Sequence, residues 1–204
     1  MKKYLYTAAR RILYSLRARR GYFRPIGPLV FKHITPDDVV VKKVCEQDIK
    51  LLDNFLPSKH FSKHSDRLQA QTNGKMEYLI AWYGVPIGYI LAVWNPTDAE
   101  PLKQLRNLKE GTSYLEDLYV HPAARGKGVA KRLWDAGDQR LREKGYTAVL
   151  GTVMLTNPEM EGTHIRRGYR LLDDNIYDYE TVFTDKNGVI HKWSTKVKYF
   201  IRDL

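Results

Sequence analysis

The stretch from Leu115 to Leu133 reads "LEDLYVHPAARGKGVAKRL" and gathers features suited to holding an anion. An apolar run carries two adjacent acids, Glu116 and Asp117, and ends at Val120. His121-Pro122 stops the run, because proline has no N–H to give to a strand ladder. "AARGKGVA" then leads into a helical pattern. The first N–H groups of a helix lack internal acceptors, and the macrodipole places partial positive charge there. Gly126 and Gly128 remove side chains, so a ligand can approach the backbone, while Arg125 and Lys127 add full charges. Such a junction can cradle a phosphate or pyrophosphate. A basic surface turn would have the same composition. The P-loop pattern Gly-x-x-x-x-Gly-Lys-Ser/Thr is absent. Gly-x-Gly-x-x-Gly also fails, since "GKGVAK" has Lys131 where the third glycine belongs.

The elements that must position this junction follow from periodicity. "VVVKKVC" (39–45) reads as a strand, and "EQDIKLLDNFL" (46–56) has helical apolar spacing before a proline stop. A second short helix is predicted over 60–71. "MEYLIAWYG" (76–84) and "IGYILAVW" (87–94) are aromatic and β-branched runs that form a hairpin, and 95–112 is a polar loop. "SYLEDLYV" (113–120) is the next strand. A helix follows from Lys127 to about Lys144, its apolar face formed by Val129, Leu133, Ala136 and Leu141, with Arg140 the exception. "YTAVLGTV" (146–153) is a strand, and "NPEMEGTHIRRG" (157–168) a short helix with an Asn cap and proline at its first turn. Two final strands flank "KNG", a hairpin turn. Helices placed between some of the strands predict an α/β or α+β fold with a mixed sheet.

The chain has 204 residues, 43% hydrophobic and 12% aromatic, enough for a real core and against global disorder. Its single cysteine, Cys45, excludes a disulfide framework within the chain and fits a reducing compartment, cytoplasmic or organellar. No apolar run approaches the roughly 20 residues needed to span a bilayer, and no uninterrupted secretory h-region is present. Of 34 Lys and Arg residues, nine lie in residues 1–36, where there is no Asp or Glu. The rest of the chain holds 25 bases against 23 acids. The net charge of +11 therefore belongs mainly to an N-terminal arm, and the body starting at Asp37 is close to neutral. Within residues 1–24, Leu5, Ala8, Ala9, Ile12, Leu13 and Leu16 have helical spacing opposite Arg and Lys. Three readings compete for this amphipathic helix: contact with an anionic membrane surface, an N-terminal targeting segment, and docking on the domain or, ranked lower, nucleic-acid contact.

Arg125-x-x-Gly128-x-Ala130 resembles the Arg/Gln-x-x-Gly-x-Gly/Ala signature of the GNAT superfamily of N-acetyltransferases. "YLEDLYVHPAARGKGVAKRL" is similar to that family's fourth strand, pyrophosphate loop and third helix, and "GYTAVLGTV" to its fifth strand. Asn157, His164, Gly168 and Tyr169 fall where the family often has Asn, then Tyr seven residues on, then Gly-Phe. The resemblance covers about residues 38–202 and implies the GNAT fold. That fold is a mixed, mostly antiparallel sheet of about six or seven strands with about four helices.

The resemblance further implies transfer of an acetyl group from acetyl-CoA, as co-substrate, to a primary amine by direct attack. The pyrophosphate would rest on backbone N–H groups of Arg125, Gly126, Lys127, Gly128, Val129 and Ala130. A bulge in the fourth strand would turn backbone groups of Leu118, Tyr119 and Val120 toward the pantetheine arm and thioester. Asn157 joins the cofactor-binding set. Glu116 is the candidate base, with Asp117 on the opposite side of the sheet by strand alternation. His164 stands where many relatives have a tyrosine acid and is the candidate proton donor to the CoA thiolate. The rival is a non-catalytic CoA-binding or scaffold module tethered by the basic helix. A homodimer and a small-molecule or protein amine acceptor are both compatible with the sequence. His60 and His64 lack a third partner for a metal, so no metal is expected. Cys45 is read as a buried strand residue and Tyr78, Trp82, Tyr83, Tyr89 and Trp94 as sheet core.

Overall fold

A computed structural model describes residues 33–56, 63–96, 102, 104, 105, 108–184 and 190–204. The expected arm helix, His60 and the "KNG" turn lie outside these residues. After a 3-10 turn at Pro36–Asp38 come β1 (Val40–Lys43), α1 (Glu46–Phe55), α2 (His64–Thr72), β2 (Met76–Tyr83), β3 (Val85–Val93) and β4 (Thr112–Val120). A second 3-10 turn, Pro122–Ala124, leads to α3 (Val129–Glu143), β5 (Ala148–Met154), α4 (Pro158–Arg166), β6 (Arg170–Leu171), β7 (Tyr177–Thr184) and β8 (Ile190–Asp203). The strands form one sheet in the order β1-β2-β3-β4-β5-β8-β6, with β7 also on β8. All pairings are antiparallel except β4 with β5. The mixed α/β expectation holds, and the two-residue β6, too short to give a periodic signal, brings the sheet to eight strands.

Strand alternation sorts side chains onto two faces. Leu79, Ile90 and Leu115 meet Leu133, Trp134 and Leu141 of α3 on one face. Tyr78, Ile80, Tyr89 and Leu91 meet Leu52 of α1 and Leu56 on the other. Arg140, the exception on the apolar face of α3, reaches Glu77 of β2 at 2.8 Å and satisfies that buried carboxylate. Buried carboxylates persist where they are paired in this way.

Two expectations change here. Cys45 is exposed, because the strand ends at Lys43 and Cys45 occupies the N-cap of α1 with its Sγ 3.1 Å from Asp48 Oδ2. The body also begins before Asp37. Ile34 is buried in the core, and Pro36 lies so close to Gly128 that a Cβ added there would sit 2.6 Å from Pro36 Cγ.

Candidate active site

The glycine turn forms as the motif requires. Gly126 and Gly128 both have φ of 75°, in the left-handed region that favours glycine. Gly128 is the N-cap of α3, so the first-turn N–H groups of that helix open toward the turn. His121 braces the turn by accepting a hydrogen bond from the Ala123 N–H at its Nδ1, 3.2 Å away. Burial and the nearby Arg125 push the His121 pKa down, which keeps that nitrogen an acceptor. The Arg125 side chain donates from Nε to the Val120 carbonyl at 3.1 Å. Arg125 thus ties the turn to the end of β4.

A cleft opens between β4 and β5. Their parallel ladder pairs Thr112–Tyr114 with Ala148–Leu150 and goes no further. β5 continues along β8 as far as Met154, while β4 stays with β3. The strands therefore part beyond Tyr114, whose hydroxyl still spans the gap to Thr152 Oγ1 at 2.9 Å. The opening holds about 140 Å³ and is lined by Tyr114, Leu118, Thr152, Met154, Asn157 and His164, among others. Asn157 is the N-cap of α4, as expected, but makes no side-chain capping bond, and it lines the cleft.

The two acids sit at a bulge, Asp117 in it and Glu116 just before it. Leu91 faces Glu116 and Tyr89 faces Tyr119, so Asp117 and Leu118 together oppose Ile90 alone. Asp117, with φ of 51°, is the non-glycine residue at positive φ among the described residues. The extra residue breaks the alternation on which its opposite-side placement rested. Asp117 is ion-paired with Arg67 of α2, and their side chains are 4% and 3% exposed. Glu116 and Asp117 both line the cleft and also a second hollow, of about 160 Å³, beside α2. Burial first, and then the neighbouring Asp117 charge, push the partly buried Glu116 up against the opposing pull of Arg67, to about 7. A carboxyl with this proton affinity can accept a proton near neutral pH.

His164 lines the cleft from α4, but its protons are arranged against acid catalysis. Its Nδ1 lies 2.9 Å from the Met160 carbonyl, which can only accept, so Nδ1 carries the hydrogen. Burial pushes the ring's pKa down, against the Met160 bond and in the same direction as Arg167. Nε2 is then a bare acceptor, packed over Gly151, where an added Cβ would meet it at 2.5 Å. A neutral imidazole in this tautomer has no proton at Nε2 to give. The donor role expected from its spacing is not supplied by this geometry, and His164 instead forms an aromatic wall with Trp134, Tyr169 and Phe200.

His64 is the other histidine the sequence singled out. It is fully buried and bonds Tyr78 Oη at 2.6 Å and the Leu56 carbonyl at 3.1 Å. Among the described residues, no three His, Cys, Asp or Glu side chains gather closely enough to hold a metal. Sequence reasoning missed Arg67, Tyr114 and Thr152. Arg67 is one cation among many in the sequence, and only packing against the bulge distinguishes it.

Solved structures share this architecture. An N-acetyltransferase from Staphylococcus aureus Mu50 superposes with TM-score 0.55 at 12% identity, covering 81% of this chain and 98% of that one. Arabidopsis thaliana NAA60 in complex with acetyl-CoA gives 0.57 at 16% identity, covering 81% and 98%. A ribosomal-protein-alanine N-acetyltransferase from Brucella melitensis gives 0.53 at 17% identity, covering 81% and 99%. Among curated proteins, none matches the sequence. At these identities the likeness establishes the fold, and the sequence itself supplies the family. The model of the acetyltransferase (GNAT) family matches residues 47–169, more than half of the chain, in the span that holds the bulge, the glycine turn and the cleft, and the chain therefore belongs to that family.

Proposed function

We propose that this chain transfers an acetyl group from acetyl-CoA to a primary amine by direct attack, with Glu116 as the base. The observation that carries the reading is the placement of Glu116: beside a bulge, at the wall of the β4–β5 cleft, with its pKa raised to about 7. The turn from Arg125 to Ala130 suits the pyrophosphate of the co-substrate, because it offers left-handed glycines, helix N–H groups and positive charge together. The edge of β4 that parts from β5 beyond Tyr114, carrying Leu118, Tyr119 and Val120, suits the pantetheine arm, with Asn157 on the facing wall.

Glu116 takes one proton from the ammonium form of the acceptor, and the freed amine attacks the thioester carbonyl carbon. Collapse of the tetrahedral adduct breaks the carbon–sulfur bond. The nitrogen's second proton passes to the departing thiolate, directly or through water. The proton on Glu116 returns to solvent. No imidazole acid is required in this sequence, in keeping with His164 as it stands. Calorimetry with acetyl-CoA tests the binding half. A CoA-release assay over a panel of small and peptide amines, with wild type beside Glu116→Gln, tests the chemistry. Binding with turnover that falls by about 10²–10⁴-fold in the variant supports the proposal. Binding without turnover on any amine points to a CoA-binding module instead.

A further inference from the structure

We infer that Arg67 positions the base: from α2 it holds Asp117 in the left-handed conformation that makes the β4 bulge, and so keeps Glu116 beside a neutralised carboxylate at the wall of the cleft. The inference deepens the reading of Glu116 above and rests on it. Asp117 adopts its positive φ in the middle of a strand, where an L residue is held only by its surroundings. Its holder is the ion pair with Arg67, with both side chains almost fully buried. A buried ion pair needs further bonds to be stable. The guanidinium carbon lies 4.9 Å from the Tyr89 ring and 5.9 Å from the Tyr78 ring, and both phenol oxygens interact with the guanidinium. The Tyr78 hydroxyl donates a hydrogen bond to His64 Nδ1, and His64 Nε2 donates to the Leu56 carbonyl. Burial pushes the His64 pKa down, so Nδ1 can accept. A continuous polar chain thus runs from the end of α1, through α2 and the sheet, to the bulge.

The charged and titratable groups facing Glu116 across the cleft and the hollow are few. They are Asp117 and Tyr114 on β4, Arg67 and Asp66 on α2, His164 on α4 and Tyr179 on β7. Asp117 and Arg67 act on Glu116 in opposite directions. Charge removal from one or the other must therefore move the ionisation of Glu116 in opposite senses, which loss of structure alone would not do.

The test is a pH titration of the Glu116 side-chain carboxyl by NMR, on the full chain carrying ¹³C-glutamate, with the resonance assigned by its absence in Glu116→Gln. No acetyl-CoA or amine is present, so the result stands apart from whether the chain transfers acetyl groups. Arg67→Met should raise the midpoint by about half a pH unit or more, and Asp117→Asn should lower it by a similar amount. Arg67→Lys, which keeps the charge, should titrate close to wild type. Midpoints that stay put, or move in the same direction in Arg67→Met and Asp117→Asn, overturn the inference. If Arg67→Met does not fold, Asp117→Asn decides, and a midpoint that is unchanged or raised overturns it.

Discussion

At the residue scale, one carboxyl carries opposing demands. Burial holds Glu116 near pH 7, so its folded value lies above the unfolded one. The native state then binds more protons than the unfolded state between about pH 4.5 and 7. Stability falls as pH rises through that window and the loss persists above it. Glu116→Gln removes this cost. The variant should be more stable than wild type at pH 8, by about 1–3 kcal/mol, and should gain nothing at pH 4. Chemical denaturation at the two pH values measures this. In turnover, the wild type should show an acidic limb with a midpoint near 7, since only ionised Glu116 can take the proton. His164→Asn, which keeps a donor for the Met160 carbonyl, should lower kcat by less than about tenfold. A loss of a hundredfold would restore the acid role to that histidine.

At the element scale, the site exists because a strand, a turn and a helix are joined under constraint. The two glycines of the turn separate its requirements. Both have φ of 75°, but Gly126 faces open space while Gly128 lies under Pro36. Gly126→Ala should cost the left-handed conformation, roughly 1 kcal/mol of stability, and weaken acetyl-CoA binding, because its Cβ enters the space through which the pyrophosphate would approach the backbone. Gly128→Ala must also displace the Pro36 turn and the start of α3, so it should destabilise by about 2 kcal/mol or more and weaken acetyl-CoA binding. Thermal melts and calorimetry on the two variants separate these effects. The cleft is likewise a property of pairing. β5 finds a full-length partner in β8, and β4 is left with β3 beyond Tyr114.

At the scale of the whole molecule, charge and fold divide the chain differently. The nine bases of residues 1–36 include Lys32, but Ile34 and Pro36 pack into the body, and Arg132 Nη2 lies 3.3 Å from the Val39 carbonyl. Deletion of residues 1–32 is therefore the clean separation, and deletion of 1–36 would damage the turn. The shorter deletion should retain acetyl-CoA affinity and the thermal midpoint. On the membrane reading of the arm, the full chain binds vesicles of mixed phosphatidylcholine and phosphatidylserine in a salt-sensitive way and the deletion abolishes it, since roughly 1 kcal/mol per basic residue near the surface is lost; a full chain that does not bind such vesicles rules that reading out. Vesicle co-sedimentation and melting of the truncated chain check both halves. Binding that survives the deletion would place the membrane contact on the body.

The sequence by itself determined the local grammar. The apolar runs of 76–94, the helix after Gly128 and the turn at Arg125–Ala130 depend on residues close in the chain, so periodicity and glycine spacing revealed them. The same locality explains what that grammar leaves open. Alternation put Asp117 across the sheet from Glu116, but an extra residue opposite Ile90 carries it to the Arg67 side, and a bulge has no periodic signature. Residue type made His164 an acid, while its tautomer is set by the Met160 carbonyl and its proton affinity by the surrounding aromatic wall. Arg67 had no local mark at all. It lies 50 residues before Asp117, and only the packing of α2 onto the sheet joins them. What tertiary structure decided was therefore which charges meet in low dielectric, because burial and pairing govern ionisation and both are properties of contacts distant in sequence.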